Sequence, residues 1–142
     1  MWVFLENGTF YSSVVDRDDS DFRVVRTRDK RSAEILASWI ATYFPNSTAT
    51  LERTTDADYL YRVWCSEEEW TAYLIEASET ATATNFKDRV KSSEASPAWL
   101  RVLHSVWGTL FDYQNRHEKS WLESSALEEA DDKEWEDYLR WR

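Results

Sequence analysis

The sequence predicts an α+β protein: an antiparallel sheet of about five strands, built from two hairpin units and covered by about four to five helices. Three observations point there. Apolar residues alternate over short runs joined by turn-forming residues, helical stripes follow each hairpin, and the regular strand–helix alternation that builds a parallel sheet is missing.

Taken in order, residues 2–5 and 9–15 flank Asn7-Gly8, a dipeptide whose tolerance of positive φ predicts a type I′ hairpin turn. Asp16-Arg17-Asp18-Asp19-Ser20-Asp21 is a turn, and residues 22–28, with β-branched Val24 and Val25, form a third strand. Asp29 or Ser32 caps a helix whose apolar stripe is Ile35, Leu36, Trp39, Ile40, Tyr43 and Phe44, and Pro45 ends it. Residues 48–53 and 59–65 make a second hairpin across 54–58, with Tyr59, Tyr61, Val63 and Cys65 on one face. Ser66 and Glu69 form a capping box for a helix that buries Trp70, Tyr73, Leu74 and Ala77. A connector at 80–84 leads to one helical turn that carries Phe86 and Val90 toward the core. After a break at 91–95, Ser96-Pro97 starts a helix with the stripe Trp99, Val102, Leu103, Val106, Leu110 and Tyr113, expected to lie across the sheet. The body is therefore residues 1–113, followed by an acidic, Trp-rich helical extension at 114–142.

Composition narrows the function. The single cysteine, Cys65, excludes an internal disulfide and a thiolate-rich zinc site, which fits a reducing compartment. No window reaches the roughly 18 apolar residues of a membrane span, and the apolar start is cut short by Glu6. A soluble, cytoplasmic protein is expected. The formal charge is −10, and residues 66–142 contribute most of it, with 17 acids against 9 bases. Such a surface repels a phosphate backbone, so direct nucleic-acid binding is not expected and a basic protein partner fits better.

Catalytic signatures are sparse. His104 and His117 are the only histidines, and neither sits in a recognisable nucleophile–base setting. Two glycines leave no phosphate-cradling loop. The acidic turn at 16–21 fails as a calcium loop, because Asp21 stands where a glycine is needed and Thr27 where a bidentate Glu belongs. No metal or cofactor is expected. One enzyme alternative remains, a small metal-dependent phosphodiesterase or nuclease in which Lys87 stabilises a phosphoryl group while Asp58 or Asp88 holds a metal. Arg23, Arg26, Arg28, Lys30 and Arg31 form the positive cluster. Strand alternation splits it, so with Tyr11 and Phe22 it makes only a weak stacking surface, and these bases are expected to pair with the acidic half.

The strongest functional signal lies in the extension. Ser125 and Glu128 form a further capping box, and Leu127, Asp131, Trp135, Tyr138, Leu139 and Trp141 follow at helical spacing among many carboxylates. Trp121, Glu128, Glu129, Asp131, Asp132, Trp135, Tyr138 and Trp141 are the expected partner-binding residues, since Trp and Tyr concentrate binding energy and helix-in-groove docking uses anchors so spaced. A self-associating structural protein, a homodimer held by Trp121, Trp135 and Trp141, is the other alternative.

A family resemblance rests on four stretches. They are Met1-Trp2-Val3-Phe4 with Gly8-Thr9-Phe10-Tyr11-Ser12; Asp56-Ala57-Asp58-Tyr59-Leu60-Tyr61-Arg62-Val63; Thr84-Asn85-Phe86-Lys87-Asp88-Arg89-Val90; and Val106-Trp107-Gly108-Thr109-Leu110. In this order they resemble a family of small bacterial and phage proteins of uncharacterised function, over residues 1–113. The resemblance implies an origin in bacteria, actinobacteria or their phages, and no activity. The chain departs from the pattern at residues 80–83, where a more apolar stretch is usual, and at 114–142, which extends past the usual end. The expectation is thus a non-enzymatic, acidic interaction module from a phage or mobile element. It would inhibit a basic, nucleic-acid-handling host protein by placing carboxylates where phosphates bind.

Overall fold

A computed structural model describes residues 1–115. The chain divides by contacts into two units, Met1–Arg101 and Val102–Arg142. The first holds β1 (Trp2–Phe4), β2 (Phe10–Val15), β3 (Phe22–Thr27), α1 (Lys30–Tyr43), β4 (Thr50–Arg53), β5 (Tyr61–Ser66), α2 (Glu67–Glu79) and α3 (Phe86–Lys91). A further helix covers residues 97–115. The strands form one five-stranded sheet in the order β1-β2-β3-β5-β4, antiparallel at every pairing. β5 is inserted between β3 and β4, so the β3–α1–β4 crossover is a split β-α-β unit within an α+β fold.

Local chemistry accounts for the boundaries. In the first turn the Gly8 N–H donates to the Leu5 carbonyl at 3.0 Å, and the Leu5 N–H donates to the Thr9 carbonyl at 3.1 Å. Gly8 has φ of 79°, and no non-glycine residue described has positive φ. The expected type I′ turn is therefore replaced by a type I turn closed by a left-handed glycine bulge. Asn7 stays out of the left-handed region and spends its Oδ1 on the N–H and hydroxyl of Thr9, at 3.1 and 2.7 Å.

Asp29 caps α1, accepting from the Ser32 N–H at 2.9 Å and the Ser32 hydroxyl at 2.6 Å. The Ser66–Glu69 box closes both ways: the Ser66 N–H donates to Glu69 Oε2 at 2.7 Å, and the Glu69 N–H donates to Ser66 Oγ at 3.1 Å. Asn85 caps α3 and Ser96 caps the helix of residues 97–115.

Register sorts side chains onto two faces. Val3, Tyr11, Val25, Val63 and Cys65 share the face under α1 and α2, where Ala33, Leu36, Ile40, Trp70 and Tyr73 meet them. Each large apolar side chain sealed there stabilises the fold by about 1.5–3 kcal/mol. Tyr11 is fully buried, donates to the Ser32 carbonyl at 3.0 Å and accepts from the Tyr73 hydroxyl at 3.0 Å. Burial holds the Tyr11 phenol well above its ordinary pKa and raises that of Tyr73.

Three expectations about packing are corrected. Tyr59 lies in the β4–β5 connection, not in the strand, and its ring sits under Arg26, on the face opposite Val63 and Cys65. Phe86, the first residue of α3, is exposed, and only Val90 of that helical turn is buried. Of the stripe expected to be buried, Val102, Val106, Leu110 and Tyr113 are exposed. Among the described residues no helix is long and apolar enough to cross a membrane.

Candidate interaction surfaces

Two surfaces of the first unit combine charge with accessible apolar area. One lies at the start of α2, where chain direction brings three glutamates of the first turn beside the end of the acidic turn. The Glu67 N–H donates to the Asp21 carbonyl at 2.8 Å, which locks the two segments together. A groove of about 580 Å³ is lined by Asp21, Ser66, Glu67, Glu68, Thr71, Ala72 and Ile75. Ile75 is 54% exposed. Arg23 neutralises Glu67 at 2.8 Å, while Glu69 is taken up by the capping box, so Asp21 and Glu68 carry the groove's outward charge.

The second surface is the sheet face turned away from α1 and α2. Register places Trp2, Ser12, Arg26, Arg62 and Glu52 in one row across the five strands, with Val14, Val24, Trp64 and Thr50 in the next. Trp2 and Val14 are exposed; Arg26, Arg62 and Trp64 are half-buried. Arg26 and Arg62 are direct cross-strand partners, a like-charge pair. Tyr59 lies under the guanidinium groups of Arg26 and Arg28, 4.8 and 4.5 Å from its ring centroid. Arg26 also donates to Ser12 Oγ at 2.9 Å and Arg28 to the Asp58 carbonyl at 2.7 Å. The Nε atoms of Arg26 and Arg62 are nonetheless buried without a hydrogen-bond partner among the described residues.

These placements rearrange the sequence-level picture of the basic cluster. Among the described residues only Arg23 of that cluster forms an ion pair with the acidic half; Lys30 pairs with Glu34 at 2.7 Å, and Arg31 donates to the Asn7 carbonyl. Arg26 in β3 and Arg28 just past its end turn to Tyr59 and to neutral acceptors instead. Tyr11, expected on a stacking surface, is sealed under the helices, while Arg62, Trp64 and Trp2 were missed. Their signal was the period-two register of Arg62 and Trp64 in the second hairpin, legible only once β5 is known to pair with β3.

A cavity of about 290 Å³ is lined by residues including Glu6, Trp39, Tyr73, Glu76 and Arg89. Its polar groups are engaged: the Trp39 indole donates to Glu76 at 2.7 Å, Arg89 reaches Glu6 at 3.7 Å, and the Tyr73 hydroxyl donates to Tyr11. Cys65 is buried, and desolvation, aided by the Glu69 carboxylate, pushes its thiol up to about 12, too high for a nucleophile at neutral pH.

Asp58 belongs to the β4–β5 connection, with its carbonyl held by Arg28, and Lys87 and Asp88 belong to the first turn of α3, where their N–H groups bond Asn85 Oδ1. Among the described residues no three His, Cys, Asp or Glu side chains are grouped to hold a metal ion. His104 is exposed. His117, Trp121, Glu128, Glu129, Asp131, Asp132, Trp135, Tyr138 and Trp141 lie outside the described residues.

No family model, curated protein or solved structure matches the chain.

Proposed function

We propose that the chain is a non-enzymatic, acidic protein-interaction module whose partner presents a basic surface. The observation that carries this reading is the groove at the start of α2, where Asp21 and Glu68 stand beside accessible Ile75 and Ala72. A Lys or Arg of a partner lays its methylene stem on Ile75 and its charge against the carboxylates. The 17 acids among residues 66–142, including Glu128, Glu129, Asp131 and Asp132, add a field of the same sign and draw that partner in. In a phage or mobile-element setting the module would occupy the nucleic-acid groove of a host protein, its carboxylates standing where phosphates bind.

The test is affinity capture from bacterial lysate with the full chain and with a variant in which Glu68, Glu128, Glu129, Asp131 and Asp132 are changed to Lys. The wild type is expected to retain a basic protein in a salt-sensitive manner and the variant to lose it. Retention of the same protein by both would overturn the reading.

A further inference from the structure

We propose that the sheet face turned away from α1 and α2 is a second docking surface, one that takes an acidic peptide segment with aromatic or aliphatic residues beside its carboxylates. This surface is independent of the acidic groove, and it carries the opposite charge.

Antiparallel pairing sets Arg26 directly against Arg62. Like charges so opposed destabilise a sheet. Their Nε–H groups are buried and have no acceptor among the described residues. Arg26 and its neighbour Arg28 are held in place. Tyr59 stacks under Arg26 and Arg28, the Ser12 hydroxyl accepts from Arg26, and the Asp58 carbonyl accepts from Arg28, so little side-chain freedom is left to lose on binding. With Nε inside, a carboxylate approaching from above meets the guanidinium Nη groups, the planar two-donor end for which arginine is suited and lysine is not. Around the pair, Trp2, Val14 and Trp64 supply apolar contact, and Trp and Arg are the residue types that dominate interface energetics.

Charge counting selects the occupant. The face offers three arginines, Arg26, Arg28 and Arg62, and Glu52 closes the row at the β4 edge. Three cations on a chain of net charge −10 are too few for the counterion release that drives binding to a phosphate backbone. They suffice to pair the carboxylates of one short segment, whose few charges feel less of the distant negative field, screened beyond about 8 Å.

The experiment titrates a synthetic dodecapeptide of glutamates alternating with Trp and Leu into the isotopically labelled full chain, observed by NMR. Parallel titrations use its Gln-for-Glu analogue and a twelve-nucleotide oligothymidylate. The proposal expects the Arg26 and Arg62 Nε–H and Trp64 indole resonances to shift with the Glu peptide. It also expects affinity to fall at least tenfold with the Gln analogue and with Arg62→Met. Lys30→Met, on an exposed position of α1, should leave affinity unchanged, and Trp2→Ala supplies a second loss variant should Arg62→Met fail to fold. Absence of shifts at millimolar peptide, equal binding of the Gln analogue, or tighter binding of the oligothymidylate at these resonances would each overturn the proposal.

Discussion

Arg62→Met should make the free protein more stable, although it removes a charged residue from a sheet. Arg62 stands opposite Arg26, takes part in no ion pair among the described residues, and buries an Nε–H with no acceptor. Removing a directly opposed like charge returns about 0.2–1 kcal/mol. Deleting the unsatisfied donor returns part of a desolvation penalty of about 1–3 kcal/mol. Methionine keeps most of the aliphatic stem against Trp64 and Glu52, so little packing is lost. Against these gains stands the loss of the equally direct cross-strand attraction to Glu52, about 0.2–1 kcal/mol, which offsets the relief of the like-charge pair and leaves the unsatisfied donor to decide the sign. The net expectation is a gain of about 1 kcal/mol, which for a domain of this size raises Tm by about 4 °C. Thermal unfolding followed by circular dichroism measures it, with urea unfolding at unchanged m-value as the check on compactness. A fall in stability of 1 kcal/mol or more, expressed as a lower urea midpoint, would refute the view that this pair is strained in the free chain.

Two further outcomes follow from the fold. Gly8→Ala forces an L residue to φ of 79° and puts a Cβ 2.5 Å from Ser93 Oγ, so a loss of roughly 2–3 kcal/mol is expected in urea unfolding; a loss below 0.5 kcal/mol would show that the turn relaxes freely. Burial raises the Tyr11, Tyr73 and Cys65 pKa values, the last to about 12, so the folded chain keeps protons that the unfolded chain releases at ordinary values. Stability is then full below about pH 8 and declines as pH rises through about 9–11. A Tm that stays flat to pH 11, or rapid alkylation of Cys65 by iodoacetamide in native buffer at pH 8, would contradict this.

The legible part of the fold was the part written in local chemistry. Asp29, the Ser66–Glu69 box and Ser96 cap their helices as their spacing predicts, because a cap is decided within four residues. Pro45 and the stripe of Leu36, Trp39 and Ile40 likewise bound and orient α1. The first turn was misread because Asn-Gly suits more than one hairpin, and here Asn7 bonds Thr9 in preference to adopting positive φ. The sheet face was largely illegible. Arg26 and Arg62 lie far apart in sequence, and their opposition arises only because β5 inserts between β3 and β4, a non-local choice that no period within either strand encodes. Tyr59 looked like a strand residue by alternation, yet two arginines draw it onto the other face. Ile75 was invisible as a surface feature, since Trp70, Tyr73 and Leu74 satisfy the core and leave it outward.

The most direct test of an acidic module that binds a basic surface is competition. The partner captured on immobilised full chain is challenged with heparin, a polyanion, and in parallel its binding of labelled nucleic acid is measured as free full chain is added. Heparin should release the partner, and the chain should displace the nucleic acid, whereas the five-lysine variant should do neither. Simultaneous binding of nucleic acid and chain by that partner, unaffected by heparin, would contradict the account.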